Sequence, residues 1–122
     1  MIAAGEVDIA VEELRWLLSG CSDFIHAHRT LGELALEQND LPLARGHFGH
    51  AYRAGAAAIR KAGNVRPVPY RREANQQFFE CGKGLIYCLN KLGKRHMAVE
   101  VGEQLLKYDP NDPLNVRGLI GG

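Results

Sequence analysis

The stretch His28-Arg29-Thr30-Leu31-Gly32-Glu33-Leu34-Ala35, followed by Asn39-Asp40 and then Ala44-Arg45-Gly46-His47-Phe48-Gly49-His50-Ala51, decides how this chain folds. Leu31, Gly32, Leu34 and Ala35 recur at three- and four-residue intervals, as do Leu43, Ala44, Phe48 and Ala51. That spacing places side chains on one face of a helix. Between the two runs, Asn39 tolerates the left-handed conformation that ends a helix, Asp40 can cap the next one, and Pro42 falls in its first turn, where proline does no harm. The stretch therefore predicts a helical hairpin. Gly32 costs about 1 kcal/mol relative to alanine in a helix interior, so a neighbouring backbone or bulky side chain is expected to need its space.

These residues resemble the tetratricopeptide repeat, a helix-turn-helix unit with the pattern Trp-x-x-Leu-Gly-x-x-Tyr, then Ala-x-x-x-Phe, then Pro. Leu31, Gly32, Ala44, Phe48 and Ala51 fall in register without a gap, and His28 and Ala35 stand at the two aromatic positions. The pattern recurs elsewhere. Ala10-x-x-x-Leu14-x-x-Leu17 lies 34 residues before Ala44-x-x-x-Phe48-x-x-Ala51, and Leu119-Ile120 lies 34 residues after Leu85-Ile86. The twelve-residue step from Gly32 to Ala44 returns from Ile86 to Ala98, with Pro110 as the closing proline. Gly102 stands where that second unit wants an aromatic and Ile86 where it wants glycine, as if large and small had exchanged places across the contact. The resemblance implies an all-α solenoid of about five or six helices, built as an antiparallel, right-handed array of hairpins without a sheet.

Taken in order, residues 1–122 read as a single domain. Residues 7–20 form a lone second helix of a partial repeat, with Val7, Ala10, Val11, Leu14, Leu17 and Leu18 on one side. Gly20 stops it, and Ser22 or Asp23 can cap the helix that follows. The first full hairpin spans 24–62. A proline loop at 63–69 breaks the period, because each proline holds the residue before it in an extended conformation. The second hairpin spans 70–108. It carries Phe78, Phe79, Leu85, Ile86, Leu89 and Leu92 on its first helix and Met97, Ala98, Val101, Leu105 and Leu106 on its second. Asp109-Pro110-Asn111-Asp112-Pro113 is a turn and cap that opens a partial repeat at 112–120.

Composition narrows the function classes. The chain has 122 residues and a formal net charge of +1 with 24% charged residues, which indicates neither disorder nor bulk attraction to nucleic acid. The charge is unevenly distributed: residues 1–40 hold eight acids and two bases, residues 41–72 hold seven bases and no acid, and the remainder holds six of each. No apolar run approaches the roughly 20 residues of a membrane span, and the N-terminus lacks a signal pattern. The expectation is a soluble, cytoplasmic protein. Cys21, Cys81 and Cys88 are odd in number and scattered, so they are read as reduced thiols, the last two as small buried hydrophobes.

Catalytic signatures are missing. No phosphate loop, His-Glu-x-x-His or Gly-x-Ser-x-Gly occurs, and no acids converge for proton transfer. His26-x-His28 and His47-x-x-His50 invite a metal, but residues two apart on a helix point in different directions and no carboxylate or cysteine closes the set. His28 is instead expected to pack at the hairpin contact. The basic segment Arg53, Arg60, Lys61, Arg66, Arg71 and Arg72, with Tyr52 and Tyr70, reads first as a solvated charged loop and helix ends, next as a patch for an acidic protein surface, and last as a contact for nucleic-acid phosphates.

The resemblance further implies a concave groove for a peptide or helix, lined by outward residues of each first helix. In this chain these are His26, Arg29, Glu33 and Glu37 in the first unit, and Glu80, Lys83, Tyr87, Asn90 and Lys91 in the second. Glu33 and Tyr87 stand where the family members that hold a C-terminal carboxylate have asparagine, so that specificity is not carried over. The expected function is a non-catalytic protein-interaction module or scaffold without cofactor or metal. The alternatives are a self-assembling subunit, including a homodimer through the terminal helices, and a histidine-based metal-binding helical domain.

Overall fold

A computed structural model describes residues 21–63 and 73–121. The expected helix at 7–20 with Trp16, Tyr70 and the bases Arg66, Arg71 and Arg72 of the proline loop and its exit lie outside the described residues. Within them the chain is all-helical, with no strand: α1 (Ser22–Glu37), α2 (Leu41–Lys61), α3 (Glu73–Lys91), α4 (Arg95–Tyr108) and α5 (Val116–Ile120). Each helix packs on the next one in sequence, and α3 also touches α1 and α5. No described helix is long and apolar enough to cross a membrane.

Two hairpins share one turn. At the end of α1, the Asn39 N–H donates to the Leu36 carbonyl at 3.0 Å and the Asp40 N–H to the Ala35 carbonyl at 2.8 Å. At the end of α3, the Gly93 N–H donates to the Asn90 carbonyl at 3.2 Å and the Lys94 N–H to the Leu89 carbonyl at 2.7 Å. Both satisfy the last helical carbonyls through a residue in the left-handed region, Asn39 at φ 58° and Gly93 at φ 76°. The entries to the following helices differ. Asp40 Oδ1 accepts from the Leu43 N–H at 3.1 Å, capping α2, whereas Lys94 in the equivalent place makes no side-chain cap for α4.

Small residues carry the seams. A Cβ on Gly32 would lie 2.8 Å from the Phe48 ring, and one on Gly84 would lie 2.9 Å from the same ring. Phe48 of α2 is thus wedged between a glycine of α1 and a glycine of α3. Gly55 of α2 makes room for Phe78, Gly82 of α3 for Leu105, and Gly102 of α4 for Ile120 and Val116 of α5. In the last contact the glycine is on the second helix of its hairpin, where Phe48 stands in the first. Phe78 also stacks on Tyr52 with centroids 5.3 Å apart and meets Tyr108 at 5.8 Å, so aromatics from α2, α3 and α4 converge on one core.

The seam is narrower than the apolar pattern implies. Ile25, Gly32 and Ala35 are the buried positions of α1, and Ala44, Phe48 and Ala51 are buried in α2, yet Leu31 is 43% exposed and Leu34 and Leu43 are each 47% exposed. Helices that approach closely enough to hold Phe48 against a bare backbone leave room only for small residues in line with it, so the leucines flank the contact. Met97, expected on the packed side of α4, is 40% exposed for the same reason: Ala98 and Gly102 make the contact.

The start of α1 falls at Ser22, with Asp23 in its first turn. The cap of α5 comes from one turn upstream. Asp112 accepts from the N–H groups of Val116 and Arg117, and Asn115 takes the left-handed conformation just before the helix. At its other end, Arg95 donates to the carbonyls of Leu119 and Ile120, where a cation also complements the negative end of the helix. Leu114, Leu119 and Ile120 are half-buried against the core and Val116 is buried.

Candidate functional site

The nine groove residues divide into four sets. On α1, Arg29 Nε donates to Glu33 Oε1 at 3.0 Å, and Arg29 Nη1 donates across to Gln77 Oε1 of α3 at 3.0 Å. Glu80 adds its charge to this neighbourhood, since Arg29, Glu33 and Glu80 all act on the buried Cys81 thiol. On α3, the Lys91 ammonium lies 5.7 Å from the centroid of the exposed Tyr87 ring, one turn away. Asn90 is committed to the C-terminal helix: its Nδ2 donates to the Leu119 carbonyl at 3.2 Å and its Oδ1 accepts from Arg95 at 3.0 Å. His26 and Glu37 are exposed, and Lys83 is half-buried. Gln77 is not among the nine expected groove residues, yet it lies one turn before Glu80 and joins the same cluster through Arg29.

Cys81 and Cys88 are fully buried and free, and Cys21 is half-buried. Burial pushes the Cys81 thiol up to about 12 and the Cys88 thiol up to about 11. Neither thiol is a nucleophile near neutral pH. Their place is structural: Cys81 Sγ donates to the Ile25 carbonyl of α1 at 3.8 Å.

Three histidines that lie apart in sequence meet at the α1–α2 seam. His28 Nδ1 is 3.0 Å from His47 Nδ1, a distance at which one imidazole donates and the other accepts. The His28 ring centre lies 5.5 Å from that of His50 and 4.4 Å from that of Phe24. Partial burial, and after it the charges that His47 and His50 would carry, hold the His28 imidazole below its ordinary pKa. His28 therefore packs at the hairpin contact as its sequence position implies. Among the described residues no group of three or more His, Cys, Asp or Glu is arranged to hold a metal ion.

Between α2 and α4, over the C-terminal half of α3, lies a cleft of about 510 Å³. Leu85, Leu89, Leu92 and Val101 form its apolar floor, and Arg45, Arg53 and Lys94 stand on its rim. Gly46 and Gly49 line the α2 wall, and a Cβ on Gly46 would meet nothing within 4 Å. None of the nine groove residues lines it. Of the expected basic patch, Arg53, Arg60 and Lys61 are exposed along α2, a helix that contains no acid.

The chain matches no family model, no curated protein and no solved structure.

Proposed function

We propose that this chain is a non-catalytic protein-interaction module, a short helical-repeat array of tetratricopeptide type that presents preformed surfaces to a peptide or helix of a partner. The single observation that carries the proposal is the recurrence of one hairpin geometry. The turns ending α1 and α3 lie 54 residues apart and use the same pair of backbone hydrogen bonds, and Phe48 ties the first hairpin to the second through Gly84. Stacked hairpins of this kind expose long rigid faces and suit recognition without cofactor.

In such an array, the face of α1 that carries the exposed Phe24, Leu31 and Leu34 is the one a preceding helix covers, and the sequence of residues 7–20 supplies a helix of the right pattern. The binding face is formed by α1 and α3, around the Arg29, Glu33, Gln77 and Glu80 cluster and the Tyr87–Lys91 pair. A homodimer through terminal helices and a cytoplasmic setting belong to the same proposal.

The test is affinity capture from the native cell with the intact chain, beside an Arg29→Glu, Lys83→Glu variant of matched melting temperature. Proteins retained by the first and lost from the second are the expected outcome. Retention of the same set by both chains removes the α1–α3 face as the binding surface. Sedimentation at micromolar concentration reads the assembly state, and a monomer with a cooperative melt removes the dimer.

A further inference from the structure

The α2–α4 cleft has a chemistry of its own. Its floor is aliphatic, with Leu85, Leu89 and Val101 at the bottom and the exposed Met97 at the edge. Its rim carries three cations, Arg45, Arg53 and Lys94, and one acid, Glu100. Arg45 reaches across the mouth, with Nη2 3.8 Å from Met97 Sδ on the far wall. Arg53 lies along α2, its guanidinium 3.4 Å from where a Gly49 Cβ would stand. Lys94 borders the start of α4, whose own N-terminal backbone dipoles are uncapped by a side chain and add to the positive field. Among the described residues none of the three cations has a carboxylate partner, and the single acid of the lining, Glu100, is engaged by His96 at 3.0 Å. Elsewhere in the described fold cations do meet partners, as Arg29 does with Glu33 and Arg117 with Asp112. An apolar trough whose rim carries three cations against one acid is complementary to an amphipathic segment of net negative charge.

We infer that the α2–α4 cleft is a docking site for an acidic segment of a partner protein, with aliphatic or aromatic anchors on Leu85, Leu89 and Val101 and carboxylates meeting Arg45, Arg53 and Lys94. The site is separate from the α1–α3 face of the proposed function, and each can fail without the other. Burial of the anchors supplies affinity, and the rim supplies the choice of sign and the approach rate.

The experiment uses the full chain and fluorescently labelled peptides of about 12 residues, with Leu or Phe at helical spacing and either Asp/Glu or Lys at every other position. The acidic peptide is expected to bind with a Kd of about 10 µM, and to weaken about tenfold or more as salt rises from about 50 to about 500 mM, because the Debye length falls to a few ångströms. The Lys peptide is expected not to bind. Two variants locate the site. Gly46→Phe projects a ring into open cleft space from a position where phenylalanine improves on glycine's helix propensity, so it should keep the melting temperature and lose binding about tenfold or more. Arg45→Glu, Lys94→Glu should reverse the preference between the two peptides. The inference is overturned if no acidic peptide binds at roughly 100 µM, if the Lys peptide binds equally, or if Gly46→Phe folds and binds as well as the parent. Loss of binding in Arg29→Glu, Lys83→Glu with Gly46→Phe unaffected overturns the cleft and credits the α1–α3 face.

Discussion

The wedge of Phe48 between two glycines makes a prediction whose sign depends on background. A methyl on Gly32 would lie 2.8 Å from Cε1 and Cζ of the ring, and a methyl on Gly84 would lie 2.9 Å from it. The ring cannot retreat from one glycine without closing on the other. Alanine gains about 1 kcal/mol over glycine in a helix interior, and overpacking a full site costs about 1–3 kcal/mol, so Gly32→Ala should destabilise by roughly 0–2 kcal/mol. Phe48→Ala empties the site at a cost of about 3–5 kcal/mol. In that background, or in the milder Phe48→Leu where stability permits, Gly32→Ala meets space and should stabilise by up to about 1 kcal/mol. The two changes therefore couple by about 1–3 kcal/mol. Urea unfolding followed by helical circular dichroism measures all four corners of the cycle. Effects of Gly32→Ala that agree within about 0.5 kcal/mol in both backgrounds would mean that the residues do not touch, and the seam described above would be wrong.

Other expected outcomes follow from the same contacts. His28 has a folded-state pKa below its unfolded value, so its contribution to stability is fully present above about pH 6.5 and is lost as pH falls below that towards the folded value; the melting temperature should drop between about pH 7.5 and pH 5, and less steeply in His28→Leu. Thiol labelling near pH 8 should modify the half-buried Cys21 in the native protein, with Cys81 and Cys88 reacting only after denaturant is added; early labelling of Cys81 would place it outside the core. Gly46→Ala should raise stability by about 0.5–1 kcal/mol, because its Cβ meets open space in mid-helix, whereas Gly93→Ala should lower it by about 1 kcal/mol, because φ there is 76°. Asp112→Ala removes both side-chain bonds to the first turn of α5 and should cost about 1–2 kcal/mol, read as early loss of protection at Val116 and Arg117 in hydrogen exchange.

Local chemistry in the sequence determined the helices and the turn between the first two. Apolar periodicity placed α1 to α4, Asn39 marked a left-handed stop and Asp40 marked a cap, because each acts within one turn of its own backbone. Gly32 announced a close contact for the same reason: its helix cost is local even though the group it admits is not. Only the tertiary structure decided which way each helix turns. A rotation of a few tens of degrees about α1 puts Ala35 in the seam and Leu31 and Leu34 outside it, and a three-residue periodicity does not distinguish these settings. The meeting of His28 with His47 and His50 depends on that rotation, and so do the bridge from Arg29 to Gln77 and the capture of Asn90 by α5. The cleft needed more still. It exists because α2 and α4 both lean on α3 while Gly46 and Gly49 leave the space beside them unfilled, a property of three helices at once that no single stretch of sequence contains.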